Sequence, residues 1–397
     1  MIARPQYIEQ LRRWKDRDII KVVTGMRRCG KSTLLRMFVD ELVAGGVPRE
    51  RIITLNLEQL ECERLRDYRA LHEEVLSRVS GPDMHYVFID EVQNAPEFQR
   101  AIDSLYTRDN IDLYITGSNA FLLQGTLATL LSGRYVEVNV LPLSFSEYAS
   151  AFDGRETPQR LYSRYIADGG MPATVSFAGD RIAHRDYLEG IINTVLLKDV
   201  AQRLNVSNTL GLGALADFMF DNIGNLTSVK RIADALSANG VKVSGNTVGE
   251  YLSGLVASYI FYPAKRFDVR GGRLLKLQEK YYAVDMGMRR AVLSGQVCDR
   301  GRILENLVYL ELRRRYGEVF VGKVGDLEID FVVQGDTGPE YYQVAESVME
   351  ESTLQRELES LRAVRDNNAK FLLTLDDCDP VSHAGITQMN VLDWFLS

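Results

Sequence analysis

Apolar runs of five or six residues recur through the first third of the chain, at positions 19–24, 52–56, 86–90, 112–116 and 135–140. Little polar sequence interrupts them, as expected of buried strands. After the first run, Leu34, Leu35, Phe38, Val39 and Leu42 recur at the spacing of one helical face and predict a helix packed on a sheet. Residues 229–236 and 247–256 form two short amphipathic stretches separated by a turn at Asn239-Gly240. A helix over about 303–316, with Ile303, Leu304, Leu307, Val308 and Leu312 inward, precedes strands at 319–324, 328–333 and 341–344. A charged amphipathic helix at 350–367 and an inner strand at 371–375 follow. The fold class is α/β, with four expected parts: a nucleotide-binding domain at 1–150, a helical connector at 151–215, a winged helix at 216–295 and an α/β domain at 296–397.

Between the first strand and its helix lies Gly25-Met26-Arg27-Arg28-Cys29-Gly30-Lys31-Ser32-Thr33, a complete G-x-x-x-x-G-K-[ST] loop. A chain turning between Gly25 and Gly30 aims successive backbone N–H groups at the α- and β-phosphates of a nucleotide. Lys31 is placed for the β- and γ-phosphates and Ser32 for Mg²⁺, while the positive end of the following helix adds its dipole. The third apolar run ends in Asp90-Glu91. A buried strand would deliver both acids to its C-terminal edge, where open α/β sheets bind ligands. There Asp90 could enter the Mg²⁺ shell and Glu91 could polarise an attacking water. The fourth run is followed by Gly117-Ser118-Asn119, whose polar side chains are candidates for touching the γ-phosphate or the water, or else are ordinary turn formers. Arg134 is a candidate for transition-state charge in its own site or a neighbouring subunit's, with a surface arginine as the alternative.

With these motifs on the page, the chain resembles the bacterial and archaeal AAA-type P-loop ATPases that carry a helix-turn-helix region and a C-terminal domain of unassigned function. The resemblance rests on the phosphate loop, on Ile89-Asp90-Glu91-Val92-Gln93, on Ile115-Thr116-Gly117-Ser118-Asn119 and on Leu131-Ser132-Gly133-Arg134. It extends through Leu141-Pro142-Leu143-Ser144-Phe145, Gly169-Gly170-Met171-Pro172 and Lys198-Asp199-Val200 to Glu305-Asn306 and Glu328-Ile329-Asp330-Phe331. It implies a nucleotide switch or motor, with no substrate defined.

Composition adds limits. A chain of 397 residues, 46% apolar and 25% charged, has the balance of a globular protein and exceeds what one core organises. No apolar run approaches the ~18 residues that span a bilayer, and no signal-peptide pattern opens the chain, so the cytoplasm is the expected location. Cys29, Cys62, Cys298 and Cys378 are too scattered for a zinc motif and are expected as free thiols, with Cys29 open to oxidation where exposed. The net charge of -7 excludes a chain coated for nonspecific nucleic-acid binding.

One local basic patch remains, in Lys265, Arg266, Arg270, Arg273, Lys276 and Lys280 around Gly271-Gly272. Two short helices, a glycine turn and a glycine-tipped basic hairpin describe a winged helix. Asn246 and Thr247 open its second helix, which carries no arginine for reading bases. The module is therefore expected either to touch the phosphates of double-stranded DNA through the hairpin or to contact protein.

In the C-terminal part, Glu305 and Asp330 are arranged as in the metal-dependent restriction-endonuclease-like fold, which the resemblance also implies. An active version ends its third strand in an acid, a spacer and a lysine, to hold the metal and position the water. Here that strand reads Gln343-Val344-Ala345, so a degenerate, inactive domain is expected, and cleavage would need a lysine brought from elsewhere. The leading expectation is a Mg²⁺-dependent ATPase switch that binds ATP, completes hydrolysis with Asp90 and Glu91, and relays its state to the winged helix and C-terminal domain. The alternatives are a slow, ATP-held scaffold for DNA or a protein partner, and an ATP-gated nuclease. Either a monomer or an oligomer is compatible with these residues.

Overall fold

The computed structural model describes residues 1–123, 133–152, 154, 156–177, 179–206, 208–294 and 299–397, and sets aside the side chains of residues 121, 123, 276 and 277. The chain divides into two compact units, Met1–Pro142 with Ala257–Tyr259, and Leu143–Val256 with Ile260–Ser397.

The first unit opens with α1 (Pro5–Trp14), β1 (Ile20–Thr24) and α2 (Lys31–Ala44). Next come β2 (Ile52–Asn56), α3 (Tyr68–Arg78), β3 (His85–Asp90), α4 (Phe98–Tyr106), β4 (Ile111–Thr116) and β5 (Tyr135–Asn139). The strands form one parallel sheet in the order β2-β3-β4-β1-β5, within a residue of the expected bounds. Successive residues of a strand serve opposite faces. Val22, Ile53, Val87 and Ile115 pack beneath Leu71, Val75, Ile102 and Leu105 of α3 and α4. Val23, Phe88 and Tyr114 pack beneath Leu34, Phe38 and Leu42 of α2. Helices on both faces are the reason these strands read as continuous apolar runs rather than alternating ones.

One polar group breaks the pattern. Lys21, on β1, is fully buried and ion-paired to Asp112 on β4. Asp112 also accepts from the Tyr114 hydroxyl at 2.9 Å and from the backbone N–H of Asp16 at 3.1 Å. Desolvation pushes the Lys21 ammonium down and the Asp112 carboxyl up, and each opposes the other's shift by its charge.

The second unit begins with α5 (Phe145–Ser150), α6 (Pro158–Asp168) and α7 (Arg181–Thr194), the last continuing into a π-helical segment, Val195–Ala201. Next are α8 (Thr209–Asp221), α9 (Val229–Ala238), α10 (Gly245–Ala257), β6 (Phe261–Asp268), β7 (Arg273–Ala283) and α11 (Met286–Val292). The remainder is α12 (Arg300–Tyr316), β8 (Phe320–Val324), β9 (Leu327–Gln334), β10 (Pro339–Ala345), α13 (Glu351–Arg362), β11 (Lys370–Thr374), β12 (Val381–His383), β13 (Ile386–Asn390) and α14 (Val391–Leu396).

The β6–β7 hairpin forms as expected, its turn held by the Asp268 carboxylate, which accepts from Gly271 N–H at 3.1 Å. It is no free wing. β6 pairs in parallel with β8, so the hairpin ends an eight-stranded sheet, β12-β13-β11-β10-β9-β8-β6-β7, that runs across position 296. Gly169-Gly170 also acquires a physical role. The buried Asp285 carboxylate caps α11 by accepting from Met288 N–H at 2.8 Å and takes the Gly170 N–H at 2.6 Å. Burial pushes its carboxyl up to about 6, against those backbone donors. Among the described residues no helix is long and apolar enough to cross a membrane.

Candidate functional site

The phosphate loop leaves β1 at the C-terminal edge of the sheet and closes on α2. Gly25 has φ +138°, and a Cβ there would stand 2.2 Å from the Val140 carbonyl oxygen, so only glycine fits the turn. Arg4 braces the loop from behind, with its guanidinium donating to the Cys29 carbonyl at 3.2 Å and the Leu141 carbonyl at 2.8 Å. Lys31 folds back over the loop and donates to the carbonyls of Gly25 at 3.0 Å and Met26 at 3.1 Å. Its Nζ lies 3.8 Å from Glu91 Oε1.

β3 delivers Asp90 and Glu91 to the same edge. Thr116, at the end of β4, ties them together: its hydroxyl donates to Asp90 Oδ1 at 2.5 Å and accepts the Glu91 N–H at 2.8 Å. Asn56, at the end of β2, donates to Asp90 Oδ2 at 3.1 Å. Burial raises the Asp90 carboxyl, opposed by hydrogen bonds from the Thr116 and Ser32 hydroxyls. Glu91 sits in a left-handed turn, φ +54°, which swings its side chain out of strand register towards Lys31. A cavity of about 440 Å³ borders Ser32 and Asp90 and is shared with Arg36, Arg49 and Asn56. One carboxylate and one hydroxyl converging there fit a Mg²⁺ ion, which keeps its other positions for phosphate and water.

Lys31, Ser32, Asp90, Glu91 and Ser118 are thus brought together, with Asn119 next to Ser118 and likewise buried. Arg134 is not. It precedes β5, and Tyr135 pairs with Ile20 at the start of β1, which places it about 13 Å of strand away from the phosphate-loop edge. It bonds Asp103 at 2.8 Å and lies over the Tyr106 ring, so a role for Arg134 in its own site falls away. Leu131, Ser132 and Cys298 lie outside the described residues. The condition set for oxidation of Cys29, exposure, is not met: the thiol is fully buried, and burial pushes its pKa up. Peptide mapping after iodoacetamide treatment of the folded protein should find Cys62 and Cys378 labelled and Cys29 labelled only after unfolding.

The sequence alone assigns no role to Thr116, Asn56 or Gln93. A polar residue closing a buried strand is the signal that marks Thr116 and Asn56.

In the second unit the basic patch divides. Lys265, Arg270 and Arg273 are exposed, Arg266 is half-buried, and the side chain of Lys276 is not among those described. Lys280 leaves the patch altogether. It is buried, and its ammonium sits 2.9 Å from both Glu305 and Glu328, beside the Tyr282 hydroxyl on Glu305. Asp330 lies near enough for its charge to raise the Lys280 ammonium, while burial and then Glu305 raise the Asp330 carboxyl. Gln343 donates from its amide to Glu357 at 3.0 Å while its Oε1 accepts the Asp330 backbone N–H at 3.4 Å. A lysine has therefore come to these acids from β7, where its ammonium is ion-paired to Glu305 and Glu328. Among the described residues no group of three or more His, Cys, Asp or Glu is placed to hold a metal ion.

Fold and site define the class: an AAA-type P-loop ATPase domain in the first unit. The AAA domain family matches residues 17–149, and a domain of unknown function (DUF8612) matches residues 159–297. An uncharacterized protein of Haemophilus influenzae is 37% identical over 100% of this chain and 99% of its own length. The chain belongs to the same family as that Haemophilus protein. A second uncharacterized relative, from Methanocaldococcus jannaschii, is 27% identical over 87% of this chain and 79% of its own. Among solved structures, a Walker-type ATPase of Pyrococcus abyssi aligns with a TM-score of 0.52 at 16% identity, over 74% of this chain and 96% of that one, a likeness of fold.

Proposed function

We propose that this chain is a Mg²⁺-dependent ATPase that works as a nucleotide switch. The observation that carries the reading is the meeting of Lys31, Ser32, Asp90 and Glu91 at one sheet edge, over a loop only glycine can turn. The backbone from Gly25 to Thr33 holds the phosphates, and Lys31 exchanges its two loop carbonyls for phosphate oxygens. Ser32 and Asp90 would hold a Mg²⁺ ion, which would supply positive charge against the phosphates. Glu91 takes a proton from water as its oxygen attacks the γ-phosphorus, and ADP leaves with the electron pair of the broken bond. Ser118 and Asn119 contact the γ-phosphate side. Arg134 remains a candidate only for a neighbouring subunit's site.

The exposed Lys265, Arg270 and Arg273 support phosphate contact with double-stranded DNA through the β6–β7 hairpin. The ion pairs of Lys280 favour a C-terminal part that docks rather than cleaves. The test is steady-state ATP hydrolysis with Mg²⁺, with and without double-stranded DNA, for the wild type and Lys31→Ala. DNA-stimulated turnover abolished by Lys31→Ala is the expected result. ATP binding with only background turnover, unchanged by DNA, would replace the switch with a nucleotide-held scaffold.

A further inference from the structure

Gln93, two residues beyond the acid pair, stands in a place that fold stability does not explain. Its side-chain amide donates from Nε2 to Glu91 Oε2, and the same nitrogen lies 3.4 Å from Ser118 Oγ. Its Oε1 is buried without a hydrogen-bond partner. Rotating the amide by half a turn would aim Oε1 at the Glu91 carboxylate, so the observed orientation is the one that charge permits. A buried acceptor left unmatched costs stability, whereas an apolar side chain of the same shape would avoid that cost. Gly117 lies flush against the amide: a Cβ there would come within 3.0 Å of Gln93 Oε1 and 2.8 Å of Leu122. The site therefore keeps room for a polar group at a position where packing alone would favour an apolar one.

We propose that Gln93 is a positioning residue for Glu91, joining the carboxylate to Ser118 so that the end of β4 sets where the base points. The inference rests on the reading of Glu91 as the proton acceptor. Glu91 leaves β3 through a left-handed turn, its backbone N–H donating to the Thr116 hydroxyl at 2.8 Å and its carbonyl accepting from the Asn94 N–H at 3.0 Å. Beyond that turn one carboxylate oxygen, Oε1, faces Lys31 at 3.8 Å, and the other, Oε2, is anchored by the Gln93 amide. Ser118 follows β4 at the edge where the γ-phosphate would lie, so a change in its hydrogen bonding on nucleotide binding reaches Glu91 through one side chain.

The experiment compares wild type, Gln93→Met, Gln93→Ala, Glu91→Gln and the double variant Glu91→Gln/Gln93→Met in the full chain. Thermal melting, fluorescent-nucleotide affinity and kcat are read for each. Gln93→Met keeps the volume and removes the donor. The expected result is a Tm equal to or above wild type, an ATP Kd within about threefold, and a kcat lower by about tenfold or more, the worth of one charge-assisted hydrogen bond. The double variant is no slower than Glu91→Gln alone.

A Gln93→Met protein with wild-type kcat, beside an inactive Glu91→Gln, overturns the positioning role and leaves Glu91 as the base. Full turnover in Glu91→Gln overturns both readings. A lowered Tm or weakened ATP binding in both Gln93 variants, with kcat unchanged, assigns Gln93 to the scaffold.

Discussion

Glu91→Gln should bind ATP with wild-type affinity and hydrolyse it about 10²–10⁴-fold more slowly, the range covered by loss of a positioned general base. Most of the binding machinery is untouched, because the loop amides, Lys31, Ser32 and Asp90 make no use of the second Glu91 oxygen. The amide cannot accept the proton that water must lose. Its shape matches the carboxylate, so Thr116 still takes the backbone N–H and the left-handed turn is retained. Removing a negative charge 3.8 Å from Lys31 tends, if anything, to tighten nucleotide binding. Single-turnover hydrolysis beside fluorescent-nucleotide binding measures both halves. Turnover within twofold of wild type would move the role of base to another group.

The second large effect lies at the opposite edge of the same sheet. Lys21→Met should destabilise the first unit by about 3–5 kcal/mol, the usual cost of leaving one partner of a buried ion pair uncompensated. Asp112 would keep the Tyr114 hydroxyl and the Asp16 N–H but lose its only buried cation among the described partners. For a unit of this size that corresponds to a fall in Tm of about 6–20 °C. Lys21→Met combined with Asp112→Leu should recover much of the loss, since apolar replacement of a whole buried pair is often neutral. Melting curves of the single and double variants decide it. A single variant that melts with the wild type would show the pair contributes nothing.

How far the sequence carries depends on the kind of residue. The five strands and α2 were legible because burial on both faces writes itself as uninterrupted apolar runs, and the phosphate loop because its chemistry needs consecutive residues. Residues that act through neighbours distant in sequence were not. Thr116 reads as the last residue of a strand, and only its bonds to Asp90 and Glu91 reveal its use. Lys280 reads as one more cation in a basic stretch, because nothing local announces that β6 pairs with β8 and brings Glu328 alongside. Arg134 misled in the other direction. A candidate arginine after a glycine says nothing about which end of its strand it occupies, and the register with Ile20 decides that.

The strand order β2-β3-β4-β1-β5 also has a consequence for synthesis. β1 is made early, yet its partners are β4 and β5, with Val22 beside Ile115 and Glu137. The loop that follows it is closed by Val140 and Leu141, near the end of the unit's continuous stretch, Met1–Pro142. A nascent chain at roughly 5–20 residues per second therefore carries its nucleotide loop unformed for about 6–22 seconds after Gly30 is made. Through that interval ATP has no site to grip, and the exposed apolar strands wait for partners encoded far downstream. Only after β5 leaves the ribosome can the ligand begin to stabilise the domain that binds it.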